Sequence, residues 1–153
     1  MQNNCEKNFQ LLISNDLINH ESGILKIQNA NFIPITLEYN NSAVQTIVCL
    51  DSGACVNIIS WKNLKQYFPT IKKEALTQET MLLSSANNSQ IKCLGCIKLN
   101  VRIGNRVNCE KFYITTDKCN NILGLPGIKA FDMVINIKKE ICQQKTSKCN
   151  HRK

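Results

Sequence analysis

Ile47-Val-Cys-Leu-Asp-Ser-Gly-Ala-Cys-Val-Asn-Ile-Ile-Ser60 is the stretch from which the rest of this chain is read. Ile47 to Leu50 is mostly apolar and reads as a buried strand that delivers Asp51 into a tight Ser-Gly turn. A second apolar run, Val56 to Ile59, carries the chain away. Gly53 allows a sharp bend that a side chain would obstruct, and Ser52 offers a hydroxyl that can tie the turn down. A carboxylate is thereby placed at the end of a rigid strand, a setting that suits a reacting group better than a solvated surface acid.

Outward from this stretch the pattern is mostly that of strands. Ile33, Ile35, Leu37 and Tyr39 alternate with polar positions, Asn40-Asn41-Ser42 reads as a turn, and Ala43 to Leu50 returns, so a hairpin ends at Asp51. Ser60 reads as a helix N-cap, and Trp61, Leu64 and Phe68 keep helical spacing until Pro69 stops it. Thr80 to Ser84 and Gln90 to Cys96 read as strands joined by the turn residues Ala86, Asn87, Asn88 and Ser89. Ile97 to Ile103 and Val107 to Thr115 form a further hairpin about Gly104-Asn105. After a loop at 117–121 come Ile122-Leu123-Gly124, a short helix over Ile128 to Met133 and a last strand from Val134 to Ile137. The apolar patch Phe9 to Ile13 fits a short helix, a strand, or a junction with an upstream polyprotein segment.

A length of 153 residues with 43% hydrophobic content predicts one domain, placed at 31–138, with a peripheral segment at 1–30 and a basic, flexible tail at 139–153. No apolar stretch of membrane-spanning length and no signal-peptide pattern is present, so an intracellular, cytoplasmic protein without a membrane partner is expected. Nine cysteines, an odd number, then read as reduced thiols serving as small apolar residues, Cys49, Cys55 and Cys109 among them. The net charge of +8 is spread along the chain with few aromatic residues beside it, which describes a solvated basic surface, and no nucleic-acid partner is expected. Cys93-Leu-Gly-Cys96 has metal-like or redox-like spacing, but Cys142, Cys149 and His151 complete no metal motif with it. No metal and no cofactor are expected. His20 and His151 lie in peripheral stretches, so no base is placed to activate a cysteine nucleophile.

The residues Cys49-Leu50-Asp51-Ser52-Gly53-Ala54, followed by Ile58-Ile59-Ser60, resemble the retropepsin-type aspartic proteases, most closely those of gypsy-type retrotransposons. Asn121-Ile-Leu-Gly-Leu-Pro-Gly-Ile128, about 70 residues on, resembles the hydrophobic-hydrophobic-Gly element near the end of such chains, with Ile122, Leu123 and Gly124 as its structural residues. The likeness extends over about residues 32–137. It implies an all-β, closed-barrel protomer with a flap hairpin and one or two short helices. It also implies an aspartic endopeptidase working as a homodimer on an extended peptide. Asp16, Asp51, Asp117 and Asp132 are the chain's aspartates, and of these Asp51 lies in the motif, so the second catalytic aspartate has to come from a second copy.

By the same resemblance Ser52 braces the dimer centre, Gly53 and Ala54 offer backbone groups to the peptide, and Ala86, Asn87, Asn88 and Ser89 form the tip of the flap. The implied substrate is the retroelement's own polyprotein, or a host protein if the gene has been domesticated. A dimeric interaction module that has kept the fold and lost turnover is the alternative. Cys55-Val56 and Leu125-Pro126 depart from retroviral relatives, which often pair an acid after the catalytic motif with Arg or Asp after the late glycine. Here both sides are apolar, and neither leaves a buried charge unpaired.

Overall fold

The hairpin that carries Asp51 is built as the alternation requires. In the computed structural model, which describes residues 18–21, 24–28, 32–79, 81–85 and 88–136, β3 (Phe32–Tyr39) and β4 (Ser42–Leu50) pair antiparallel from Phe32↔Cys49 to Tyr39↔Ser42. Asn40 and Asn41 both take positive φ, 45° and 64°, the conformation of a two-residue hairpin turn whose twist matches the strands. Ile33, Ile35, Leu37, Val48 and Leu50 point inward.

β5 (Asn57–Ser60) leaves the Asp51 turn and runs parallel to β9 (Arg106–Thr115). β8 (Cys93–Ile103) lies antiparallel to both β9 and β3. β10 (Ile122–Leu123) pairs with β4 on one side and β5 on the other, which closes the barrel in the order β10-β4-β3-β8-β9-β5. Closure leaves no free edge next to the Asp51 turn. Ile59, Leu64, Leu99, Phe112, Ile114 and Leu123 fill the interior.

Helix α1 (Trp61–Tyr67) begins where capping chemistry predicts: Ser60 Oγ accepts the Asn63 N–H at 3.1 Å. Ser60 is fully buried, so Ser60→Ala removes the helix cap with no water to replace it. A loss of about 1 kcal/mol is expected, read as a lower urea midpoint at unchanged slope.

Three expectations shift. The strand read as Gln90 to Cys96 is divided: β6 (Leu83–Ser84) and β7 (Gln90–Ile91) make a small separate hairpin, and the residues from Cys93 onward belong to the barrel. A bulge between Cys93 and Gly95 marks the change. Gly95 sits there at φ 145°, where a Cβ would lie 2.8 Å from the Thr77 carbonyl oxygen. The second helix, α2, runs Leu125–Ala130, earlier than expected, because Pro126 fits a first helical turn, where its missing N–H costs nothing. The last strand, β11, is Met133–Asn136, after a turn at Asp132 with φ 49°.

Residues read as peripheral also form strands. β1 (Ile18–Glu21) pairs antiparallel with β2 (Ile24–Gln28), and β2 runs parallel to β11 from Leu25↔Met133 to Gln28↔Asn136. The patch Phe9 to Ile13 and the tail from 139 onward lie outside the described residues. Two of the cysteines read as apolar packing are exposed: Cys55 lies in a loop and Cys109 faces outward on β9, whereas Cys96 is buried. No helix among the described residues is long and apolar enough to cross a membrane.

Candidate active site

Asp51 follows the last residue of β4 and is exposed. Its backbone continues the parallel ladder with β10, since the Cys49 N–H donates to the Asn121 carbonyl at 2.8 Å and the Asp51 N–H to that of Leu123 at 3.1 Å. The carboxylate is held locally: the Gly53 N–H donates to Asp51 Oδ1 at 3.0 Å, while the Ala54 N–H donates to the Asp51 carbonyl at 3.1 Å and closes the turn. Cys49, two residues earlier, is half-buried. Burial, and then the nearby Asp51 charge, push its thiol pKa up.

The β10–α2 junction passes directly beneath this loop. Its Leu125 N–H donates to the Ala54 carbonyl at 2.8 Å, and the Gly124 N–H donates to Asn57 Oδ1 at 2.9 Å. A Cβ on Gly124 would overlap the Val56 carbonyl oxygen and lie 2.8 Å from that of Ala54, so glycine is required by the crossing. Asp51, Ser52, Gly53 and Ala54 thus share one exposed or half-exposed loop, with Ile122, Leu123 and Gly124 under it. Asn88 and Ser89 sit at the end of the β6–β7 hairpin, where the Asn88 N–H donates to the Ser85 carbonyl. Ala86 and Asn87 lie outside the described residues.

Beneath the loop, residues whose roles the motifs did not mark out do much of the holding. Asn121 is buried and donates to the Tyr67 hydroxyl at 2.9 Å and the Ile47 carbonyl at 3.2 Å, while its Oδ1 accepts from Asn63 at 3.1 Å. Asn57 interrupts the apolar run Val56 to Ile59, and that interruption was the available signal that its amide is used internally. Beside Asn57 stands Glu110, 6 % exposed, whose carboxyl pKa is raised by burial and only partly restored by a 3.5 Å contact with the Asn57 amide.

A carboxyl whose folded pKa lies above its unfolded one binds more protons when folded, so stability falls as pH rises from the unfolded value to the folded one and is level beyond. Glu110→Gln keeps an oxygen for Asn57 and removes the buried charge. The variant is expected to match the parent near about pH 4 and to be the more stable of the two near about pH 8. Urea midpoints at the two values check this.

The segment that enters the β6–β7 hairpin is fastened to the barrel. Thr77 exchanges two backbone hydrogen bonds with Cys96, and Glu79 Oε2 accepts from the Cys96 thiol at 3.2 Å and meets Lys111 Nζ at 2.6 Å. Lys111, then Cys96 and Tyr113, hold the Glu79 carboxyl down at about 2. An open cavity of about 420 Å³ lies by this hairpin, with Met81, Leu83, Ile91 and Cys93 among its walls. No group of three or more metal-binding side chains occurs among the described residues.

Neither a family model nor a curated protein matches the chain. Solved structures do. The EIAV protease, in complex with an inhibitor, matches with a TM-score of 0.53 at 10% identity, covering 69% of this chain and 91% of that one. The fold is retropepsin-like. The retroviral protease-like domain of Ddi1 from Leishmania major is also similar, with a TM-score of 0.46 and 17% identity over 67% of this chain and 78% of that one. The retropepsin-like barrel expected from the motifs is therefore the one observed.

Proposed function

We propose that this chain is an aspartic endopeptidase that works as a homodimer, each protomer supplying one Asp51, and that it processes a retroelement polyprotein. The observation that carries the reading is the exposed Asp51 carboxylate at the end of β4, fixed by the Gly53 N–H and underlaid by the β10–α2 junction. A retropepsin-like fold with Asp-Ser-Gly at that loop favours water activation by a carboxylate pair. The chain has one such motif, which favours a symmetric dimer as the way to make the pair.

Two carboxylates this close share one proton, because both cannot ionise comfortably side by side. The ionised member takes a proton from a bound water, and the resulting hydroxide adds to the scissile carbonyl carbon. The protonated member donates to the carbonyl oxygen. Collapse of the tetrahedral intermediate returns a proton to the leaving amine and breaks the C–N bond. Ser52 braces the centre of the dimer, Gly53 and Ala54 offer backbone groups to an extended peptide, and Asn88 and Ser89 belong to the flap tip that covers it.

The test is cleavage of a mixed peptide library from mildly acidic to neutral pH, with and without pepstatin, over a dilution series. Pepstatin-sensitive cleavage that falls faster than linearly on dilution is expected. No cleavage by protein shown to be folded and dimeric would sink the reading and identify an interaction module instead.

A further inference from the structure

Asn57, the first residue of β5, is 2 % exposed, and its side-chain amide is used at both ends. Oδ1 accepts the Gly124 N–H at 2.9 Å, and Nδ2 donates to the Lys111 carbonyl at 3.0 Å. Glu110 Oε2 stands 3.5 Å from the same Nδ2. One planar group therefore joins β5, β9 and the β10–α2 junction.

The neighbouring bonds at that junction run straight to the catalytic loop. The Leu123 carbonyl accepts from the Asp51 N–H, and the Leu125 N–H donates to the Ala54 carbonyl. Gly124 lies between these two residues, and its own N–H is anchored to the barrel wall through Asn57. Any displacement of Gly124 moves both bonds and, with them, the two ends of the Asp51 turn.

We propose that Asn57 is a positioning residue for Asp51: it registers the β10–α2 junction against the barrel wall and so sets the spacing of the two Asp51 carboxylates. This rests on the dimeric protease reading. A carboxamide fits the task because it offers a donor and an acceptor on one rigid plane, whereas a serine hydroxyl on a shorter stem cannot span both partners.

The carboxylate pair supplies a readout that a merely structural role would not move. Its two apparent pKa values separate when the groups are close and converge when they are held apart. Asn57→Ser is expected to lower kcat about 100-fold with KM changed less than about threefold, and to narrow the bell-shaped pH profile. Asn57→Asp is the conservative variant. When protonated, its carboxyl offers an O–H donor and a carbonyl acceptor as the amide does. When ionised, it has no donor for Lys111 O and faces Glu110. Glu110 on β9 and Asp51 in the loop are the acids here, and the junction residues 121–128 carry no charge. Activity of this variant is expected to approach the parent in mild acid and to fall toward neutral pH.

Counting active dimers by pepstatin titration separates loss of folded protein from loss of rate. A lower kcat per active dimer, a narrower profile and rescue in acid support the proposal. A folded Asn57→Ser variant with an unchanged kcat per dimer and an unchanged profile overturns it. If the parent cleaves nothing, the protease reading has failed, and carboxyl-carbon NMR of Asp51 decides the positioning separately. A changed Asp51 titration in Asn57→Ser then sustains the role, and an unchanged one overturns it.

Discussion

Asp51→Asn is expected to lower cleavage by about 10,000-fold or more while leaving fold and dimer intact. The replacement is isosteric, and its amide oxygen can still accept the Gly53 N–H that now reaches Asp51 Oδ1 at 3.0 Å, so the turn keeps its shape. The loss is chemical: an amide takes no proton from water at any assay pH. The proposed homodimer makes a second, quantitative expectation. With equal amounts of parent and variant protomers freely exchanged, about one quarter of the dimers carry two carboxylates. Activity per total dimer should fall to that fraction, since under the proposed mechanism a mixed dimer has one carboxylate where two are needed. Steady-state cleavage and sedimentation on the same samples check both points, and a variant that keeps full activity ends the assignment of Asp51.

Gly124→Ala is expected to destabilise the protein by roughly 3 kcal/mol or more, a large share of a small domain's margin. The added methyl would meet the backbone carbonyls of Val56 and Ala54, and neither is the yielding end of a flexible side chain. Relief needs the Asp51 loop and the β10–α2 junction to separate, which breaks the Leu125–Ala54 and Gly124–Asn57 hydrogen bonds. Thermal unfolding followed by circular dichroism measures the loss. Any protein that remains folded should show lower cleavage per molecule, because the same separation disturbs the Asp51 turn. Gly127→Ala tests the same junction a second way, since its methyl would overlap the fully buried Leu123 side chain.

The strands that carry the site follow from residues close together in the chain. Alternation from Phe32 to Tyr39, the paired asparagines of its turn, and Ser60 as a cap each express an interaction between near neighbours. The Asp-Ser-Gly turn is of the same kind, because Gly53 contacts a residue two positions away. The second helix starts earlier than the apolar spacing after Ile128 suggests, because Pro126 marks its first turn. The hairpin ahead of β8 is shorter than its pattern suggests, because Cys93 to Cys96 suits either neighbour by pattern and barrel closure pairs it with β9.

The strand runs and the Asp51 turn are legible in the residues themselves, each as a short run with its own periodicity or turn chemistry, whereas the barrel class and the late Ile122-Leu123-Gly124 element came from the resemblance of these motifs to retropepsins. Three things depended on the folded chain: the pairing of β2 with β11, the contacts of Asn57, and the ion pair between Glu79 and Lys111. Asn57 meets Gly124 across 67 residues, and Gly124 must be glycine because Val56 passes over it. Such contacts leave no local pattern: they arise where two segments cross, and the crossing exists only once the barrel has closed.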